Sequence, residues 1–168
     1  MFRKISVFLV TVVITGCFGC GSEKFNADNE FTQEAEQIAL NYVNDNYVDD
    51  ASATITRVKQ GKKYCEIYIS TSAAMYEVEV ENVTGAILEV SIKFGKASKT
   101  VNPADYITPA AAQQIALDFV NDDAATVTRV KTEKRYYEIY LSTNTARYEV
   151  EVDFAGNILE VEKKYFRK

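Results

Sequence analysis

The chain is written twice. Residues 37–45 (QIALNYVND) lie over 114–122 (QIALDFVND), and 56–71 (TRVKQGKKYCEIYIST) over 128–143 (TRVKTEKRYYEIYLST). YEVEV recurs at 76–80 and 148–152, and GAILEV at 85–90 returns as GNILEV at 156–161. The order is the same in both copies. The first copy is longer by five residues between Val48 and Thr54 and by one near Thr84. Self-similarity of this density means one supersecondary unit used twice. Whatever fold 31–93 takes, 107–168 takes as well. Residues 94–106 join the copies, and Gly95, Ser98, Asn102 and Pro103 mark them as loop.

Each copy reads helix first, then strands. Ala35, Ile38, Ala39, Tyr42 and Val43 follow the i, i+3, i+4, i+7, i+8 stripe of an amphipathic helix, and Ala112, Ile115, Ala116, Phe119 and Val120 repeat it. Thr108-Pro109 supplies an N-cap and a proline at the first helical position, and Thr32 is the expected cap in copy one. Asn44-Asp45 and Asn121-Asp122 end the helices, since a carboxylate opposes the dipole there.

The rest of each copy alternates apolar and polar residues with period two. This predicts strands at 54–59, 64–70, 76–81 and 87–93, then at 126–131, 136–142, 147–153 and 158–165. The fold class is therefore α+β: two tandem repeats of one helix packed on a four-stranded antiparallel sheet. A unit of about 60 residues buries only about 60% of its unfolded surface and is marginal alone. One continuous sheet with both helices on the same side would let the units support each other. The small Ala39 and Ala116 leave little space under the helices for a carried ligand.

Composition removes whole classes of chemistry. There is no histidine, which excludes Ser-His-Asp and Cys-His catalysis and histidine metal sites. The formal net charge of −5 makes nucleic acid a poor partner, because phosphate binding needs clustered Lys and Arg. The 47% hydrophobic content is too high for a disordered chain.

The first residues are an address. Arg3 and Lys4 precede an apolar run at 5–14, which is shorter than the roughly 20 residues a spanning helix needs. Residues 1–16 read as a secretory signal peptide. Ile14-Thr15-Gly16-Cys17 resembles the bacterial lipobox, in which the Cys is diacylated and becomes the first mature residue. That resemblance implies a lipid anchor at Cys17, with about 0.8 kcal/mol gained per buried methylene, and a polar tether over 17–30. Loss of Arg3 and Lys4 from the 19 Lys and Arg leaves 17 against 24 Asp and Glu. Anionic lipid repels so acidic a body, which then faces outward, to the periplasm or the cell exterior. Export permits a Cys20–Cys65 disulfide. Cys65, however, falls on the core-facing side of its strand, where a free Cys serves as a small hydrophobe.

A family resemblance rests on Ile107-Thr108-Pro109 with Ala112 and Ala116, on the strand YEVEVD at 148–153, and on GNILEV at 156–161. The combination resembles the PepSY domain, with its Ile-Thr-x-x-x-Ala-x-x-x-Ala helix, Tyr-x-Val-x-Val-Asp strand and Gly-x-aliphatic turn. Copy one departs from it. Phe31-Thr32 stands one residue closer to Ala35, and Glu81 replaces the Asp. The resemblance spans nearly all of the mature chain. It implies a non-catalytic module of exported and membrane-associated bacterial proteins, including propeptides of thermolysin-like metallopeptidases, where it binds or restrains the protease. The tandem plan is also similar in topology to the beta-lactamase inhibitory protein, a fold analogy only.

The outward face of the sheet is the candidate site. It gathers Tyr64, Glu66 and Tyr68 with Tyr136, Glu138 and Tyr140, together with Glu77, Glu79, Glu89, Arg147, Glu149, Glu151 and Glu160. Tyrosine is rigid, amphipathic and enriched at interface hot spots, so this face suits a basic protein surface. The bland alternative is a solvated sheet face, with Lys62, Lys63, Lys134 and Arg135 balancing charge across strands. Other chemistry finds no support. Counted from Asp45, the sixth and twelfth positions of a calcium loop would be Asp50 and Thr56, not Gly and Glu. Asp49, Asp122 and Asp123 read as turn residues. No nucleophile elbow or phosphate loop is present. Glu77 and Glu149 would do acid–base work only in a desolvated cleft. The expectation is a lipid-anchored, non-enzymatic binding protein with no cofactor and no metal. Its partner is an extracytoplasmic protein, such as a peptidase that it inhibits or regulates. The competing reading is a structural or adaptor lipoprotein of the cell envelope.

Overall fold

The computed structural model describes residues 27–47, 53–95 and 102–167. The signal segment, Cys17, Cys20, Asp49 and Asp50 lie outside these residues, and with them the anchor and any pairing of Cys20. Helix α1 spans Ala27–Asn46 and is followed by β1 (Thr54–Gln60), β2 (Tyr64–Ser70), β3 (Met75–Glu81) and β4 (Ile87–Lys93). A short 3-10 turn at Pro103–Asp105 leads into α2 (Pro109–Val120), β5 (Thr126–Thr132), β6 (Tyr136–Ser142), β7 (Ala146–Asp153) and β8 (Ile158–Tyr165).

The eight strands form one antiparallel sheet in the order β1-β2-β3-β4-β8-β7-β6-β5. Each copy is expected to give one helix on a four-stranded sheet; the structure has one eight-stranded sheet instead, the continuous arrangement that lets the units support each other. The last strands of the two halves pair with each other, from Glu89↔Lys164 to Lys93↔Glu160. Two sheets would have left β4 and β8 as open edges with unpaired backbone groups, and their pairing removes both. The remaining edges, β1 and β5, each carry an irregularity in register, at Ile55/Arg57 and Val127/Arg129. Bulges and edge charges of this kind oppose further strand addition.

Both helices lie on one face. Ile92 and Val161 are paired across β4 and β8 and both are buried, so the apolar face runs through the seam without a break. Helix α1 packs on β1–β3 and α2 on β5–β7. Ala35, Ala39, Ala112 and Ala116 are fully buried, which lets each helix backbone sit close to Ile67, Val78, Ile139 and Val150 beneath it. Cys65 is a buried free thiol in this layer.

Thr108 caps α2 as the sequence predicts, accepting a hydrogen bond from the Ala111 N–H, and Asn121 closes it in the left-handed region at φ 47°. Thr32 does not cap α1. The helix begins at Ala27, within the stretch expected to be tether, and runs through Thr32. No Gly or Pro interrupts 27–46, so nothing stops the upstream turn from joining.

The halves also exchange contacts. Tyr42 of α1 meets Tyr165 of β8 at 2.7 Å between hydroxyls, and Phe94 after β4 meets Phe119 of α2 edge-on at 5.8 Å. Lys163 sits beside the polar pair, its ammonium 4.6 Å from the Tyr165 ring centre and 3.2 Å from the Tyr42 hydroxyl. At the β3–β4 and β7–β8 turns, Gly85 and Gly156 hold φ of +69° and +90° under Ile38 and Ile115. A side chain at either glycine is disfavoured by the backbone conformation alone.

Candidate functional site

The helices cover one side of the sheet and leave the other open. Strand register builds a row across that open face: Arg57, Tyr68, Glu77, Ser91, Glu162, Glu149, Tyr140, Arg129. The row reads nearly the same from either end. Tyr68 and Tyr140 lie on the same face, as alternation predicts, but five strand spacings of about 4.8 Å put them about 24 Å apart. They flank an acidic middle and do not form one cluster.

Each tyrosine is held by its own strand neighbours. Lys59 Nζ pairs with Glu66 at 2.6 Å and donates to the Tyr68 hydroxyl, which lies 2.8 Å from both Glu66 Oε2 and Glu77 Oε1. Lys131 repeats this with Glu138 and, at 2.6 Å, with the Tyr140 hydroxyl. The ammonium groups lie 4.7 Å from the ring centres of Tyr68 and Tyr140. Lys59 and Tyr68 hold the Glu66 carboxyl below its usual range. Burial works to raise Glu138, but Lys131, Glu149 and Tyr140 keep it low. Charge balance beside the two tyrosines therefore comes from Lys59 and Lys131. Lys62, Lys63, Lys134 and Arg135, expected in that role, sit exposed at the hairpin turns beyond the ladder. Tyr64 and Tyr136 are half-buried one hydrogen-bonded position from those turns, opposite Glu81 and Asp153.

The middle of the face is crowded with carboxylates. Glu79 stands between Glu66 and Glu89, Glu149 opposite Glu162, and Glu151 opposite Glu160. Like charges directly opposite one another destabilise a sheet. Lys93 pairs with Glu160 and Lys164 with Glu89 and Glu162, and the crowding that is left shows in raised carboxyls. Burial, then the neighbouring Glu162, pushes Glu89 up to about 7. Burial, then Glu138, pushes Glu149 up to about 7. Glu79 and Glu151 are raised in the same direction, chiefly by burial. Water still reaches the row: side-chain exposure is 25% for Glu89, 33% for Glu162 and 36% for Glu160, and Glu79, Glu149 and Glu151 are half-buried.

A pH dependence follows. Glu89 and Glu149 titrate above the ordinary 4.5 when folded, so the folded chain holds protons that the unfolded chain releases between about 4.5 and about 7. The associated stability is fully present below that window and is lost as pH rises through it. The urea midpoint should fall between about pH 5 and about pH 8, and Glu89→Gln with Glu149→Gln should flatten the slope. A midpoint that rises with pH would contradict this assignment. The low-titrating Glu66 and Glu138 act below about 4.5 and do not mask the effect.

Glu162, Ser91, Lys93 and Met75 also belong to this face and are not among the residues singled out from sequence. Glu162 shares the alternation of Glu160, which is the signal that finds it. Among the expected turn aspartates, Asp122 accepts the Ala124 N–H at 2.9 Å, a turn role. Among the described residues, no helix is long and apolar enough to cross a membrane.

No protein-family model matches the chain, and no curated protein sequence does. A candidate lipoprotein from Clostridium difficile 630 is similar at 21% identity over 75% of this chain and 90% of its own, with a TM-score of 0.30. The C-terminal domain of Bacillus megaterium YpeB is similar at 15% identity over 77% of this chain and 61% of its own, with a TM-score of 0.49. A BLIP-like protein from Bacteroides fragilis NCTC 9343 is similar at 12% identity over 86% of this chain and 91% of its own, with a TM-score of 0.31.

Proposed function

We propose that the chain is an exported, lipid-anchored, non-catalytic binding protein built from a PepSY-like unit written twice. Its open sheet face docks a basic surface of an extracytoplasmic protein, such as a thermolysin-like peptidase. The observation that carries this reading is the uncovered face itself. Eight strands at about 4.8 Å spacing and seven residues at about 3.4 Å give roughly 800 Å², the area one partner gives to a standard interface. Glu77, Glu79, Glu89, Glu149, Glu151, Glu160 and Glu162 outnumber Lys93, Lys164 and Arg147 on its four central strands. A basic partner would remove the like-charge strain described above. Tyr68 and Tyr140 are already fixed by lysine and glutamate, so little rotamer entropy is lost when they are covered. The carboxylates line an open face and are at most half-buried, which favours binding over the acid–base work of a dry cleft.

The test uses a thermolysin-like metallopeptidase as the probe. An equimolar dose of the protein should lower its rate, and Tyr68→Ala with Tyr140→Ala should weaken the complex at least tenfold, about 1.4 kcal/mol. Unchanged affinity in a folded double variant rejects the face. Binding without a change in rate would favour the adaptor reading. The anchor has its own test: labelled palmitate should enter the wild-type chain and not Cys17→Ser, and equal labelling would remove Cys17 as the lipid site.

A further inference from the structure

Besides Glu81 and Asp153 at the turns, the two halves of the open face differ at two positions near its middle, and that difference opens a seat. Ser91 stands where the second half has Glu162, and Met75 stands where it has Arg147. A hydroxymethyl and a thioether thus replace two long charged side chains. The face is indented at this point. One hollow of about 250 Å³ includes Glu77, Glu89, Ser91, Lys93 and Glu162, and an adjoining one of about 190 Å³ includes Tyr68, Met75, Glu77, Ser91 and Lys93. They share Glu77, Ser91 and Lys93, so they form one trough. Its apolar end is Met75, 60% exposed, beside the Tyr68 ring. Its other end is acidic. Lys93 pairs with Glu160 and Lys164 with Glu89 and Glu162, but among the described residues Glu77 and Glu79 form no ion pair.

We propose that this trough seats one arginine side chain of the partner, its methylene stem along Met75 and Tyr68 and its guanidinium at Glu77 and Glu79. The inference rests on reading the open face as the docking surface, and it adds which chemistry the partner must present. An exposed thioether at one end and, at the other, two carboxylates with no ion pair among the described residues, Glu77 accepting a hydrogen bond from the Tyr68 hydroxyl, match a side chain that is apolar along its length and charged at its tip. The guanidinium fork offers five donors and loses less hydration than an ammonium, so it can serve two carboxylates at once. Its arrival would put a positive charge at the middle of the row Glu66, Glu79, Glu89, whose two ends already pair with Lys59 and Lys164.

The experiment titrates the full, isotope-labelled chain with acetyl-Gly-Arg-Gly-amide and with the citrulline peptide of the same shape, reading amide shifts by NMR. Shifts at Met75, Glu77, Ser91 and Lys93 are expected with arginine, and at least fivefold weaker binding with citrulline. Met75→Arg, a change at an exposed position that supplies the second half's residue, should weaken arginine-peptide binding at least tenfold with the spectrum otherwise retained. Equal binding of the two peptides, shifts centred on Glu149 and Tyr140, or an indifferent Met75→Arg variant would overturn the seat while leaving the docking face in place. No shift anywhere on the outward face would overturn both.

Discussion

Replacing Asp153 by alanine is expected to lower the unfolding free energy by about 3 kcal/mol, because the carboxylate is the buried brace of a turn. Asp153 ends β7 and is 2% exposed. Its Oδ1 accepts the backbone N–H of Ala155 at 3.0 Å and of Asn157 at 2.8 Å, and the Asn157 amide reaches both oxygens at 3.1 Å. Alanine would leave these donors without a charged acceptor in a place water reaches poorly, and each such loss costs about 1–3 kcal/mol. The matching position, Glu81, gives the contrast. It takes a hydrogen bond from the Thr84 hydroxyl at 2.6 Å in an exposed setting, so Glu81→Ala should cost under about 1 kcal/mol. Urea unfolding followed by circular dichroism measures both. Similar losses at the two sites would show that the carboxylate does not brace the β7–β8 turn.

Ile139→Ala is expected to cost about 3–4 kcal/mol, within the range for deleting a large aliphatic side chain from a packed interior. Ile139 is fully buried, paired with Val130 on one side and Val150 on the other. It lies under α2, where Ala112 and Ala116 already bring the helix close. The β-sheet ladders on either side hold the neighbours in place, so the void collapses only in part. The chain has no tryptophan, and far-ultraviolet circular dichroism is the suitable probe of its unfolding. A loss below about 1 kcal/mol would mean that the helix settles into the gap.

Much of the fold is legible in the sequence because each strand carries its own signal. YCEIYIS alternates cleanly and ILEVSIK and ILEVEKKY alternate over most of their length, and the strands 64–70, 87–93 and 158–165 appear with those bounds. Thr108-Pro109 is equally local, and it caps α2 as read. The seam between β4 and β8 is not legible, because alternation gives the face a residue points to and says nothing about which strand lies beside it. The same gap hides the site's inner arrangement. Period two places Tyr68 and Tyr140 on one face, but only the register shows them about 24 Å apart. Register also sets Lys59 against Glu66, a pairing that the sequence alone does not distinguish from one with the turn lysines. Lys163 did leave a trace: it occupies a core-side position between Val161 and Tyr165, where an aliphatic residue would complete the pattern.

The crossed contacts of Tyr42 with Tyr165 and Phe94 with Phe119 bear on how such a molecule arises. Two copies of one unit meeting at their final strands, each lending an aromatic ring to the other's helix, have the form of a twofold homodimer joined into a single polypeptide. Identical subunits would be bound to symmetry, so any hollow off the axis would occur twice or not at all. Covalent fusion lifts that obligation. Ser91 and Met75 could change while Glu162 and Arg147 stayed, leaving one pan of a balanced scale free to hold a weight.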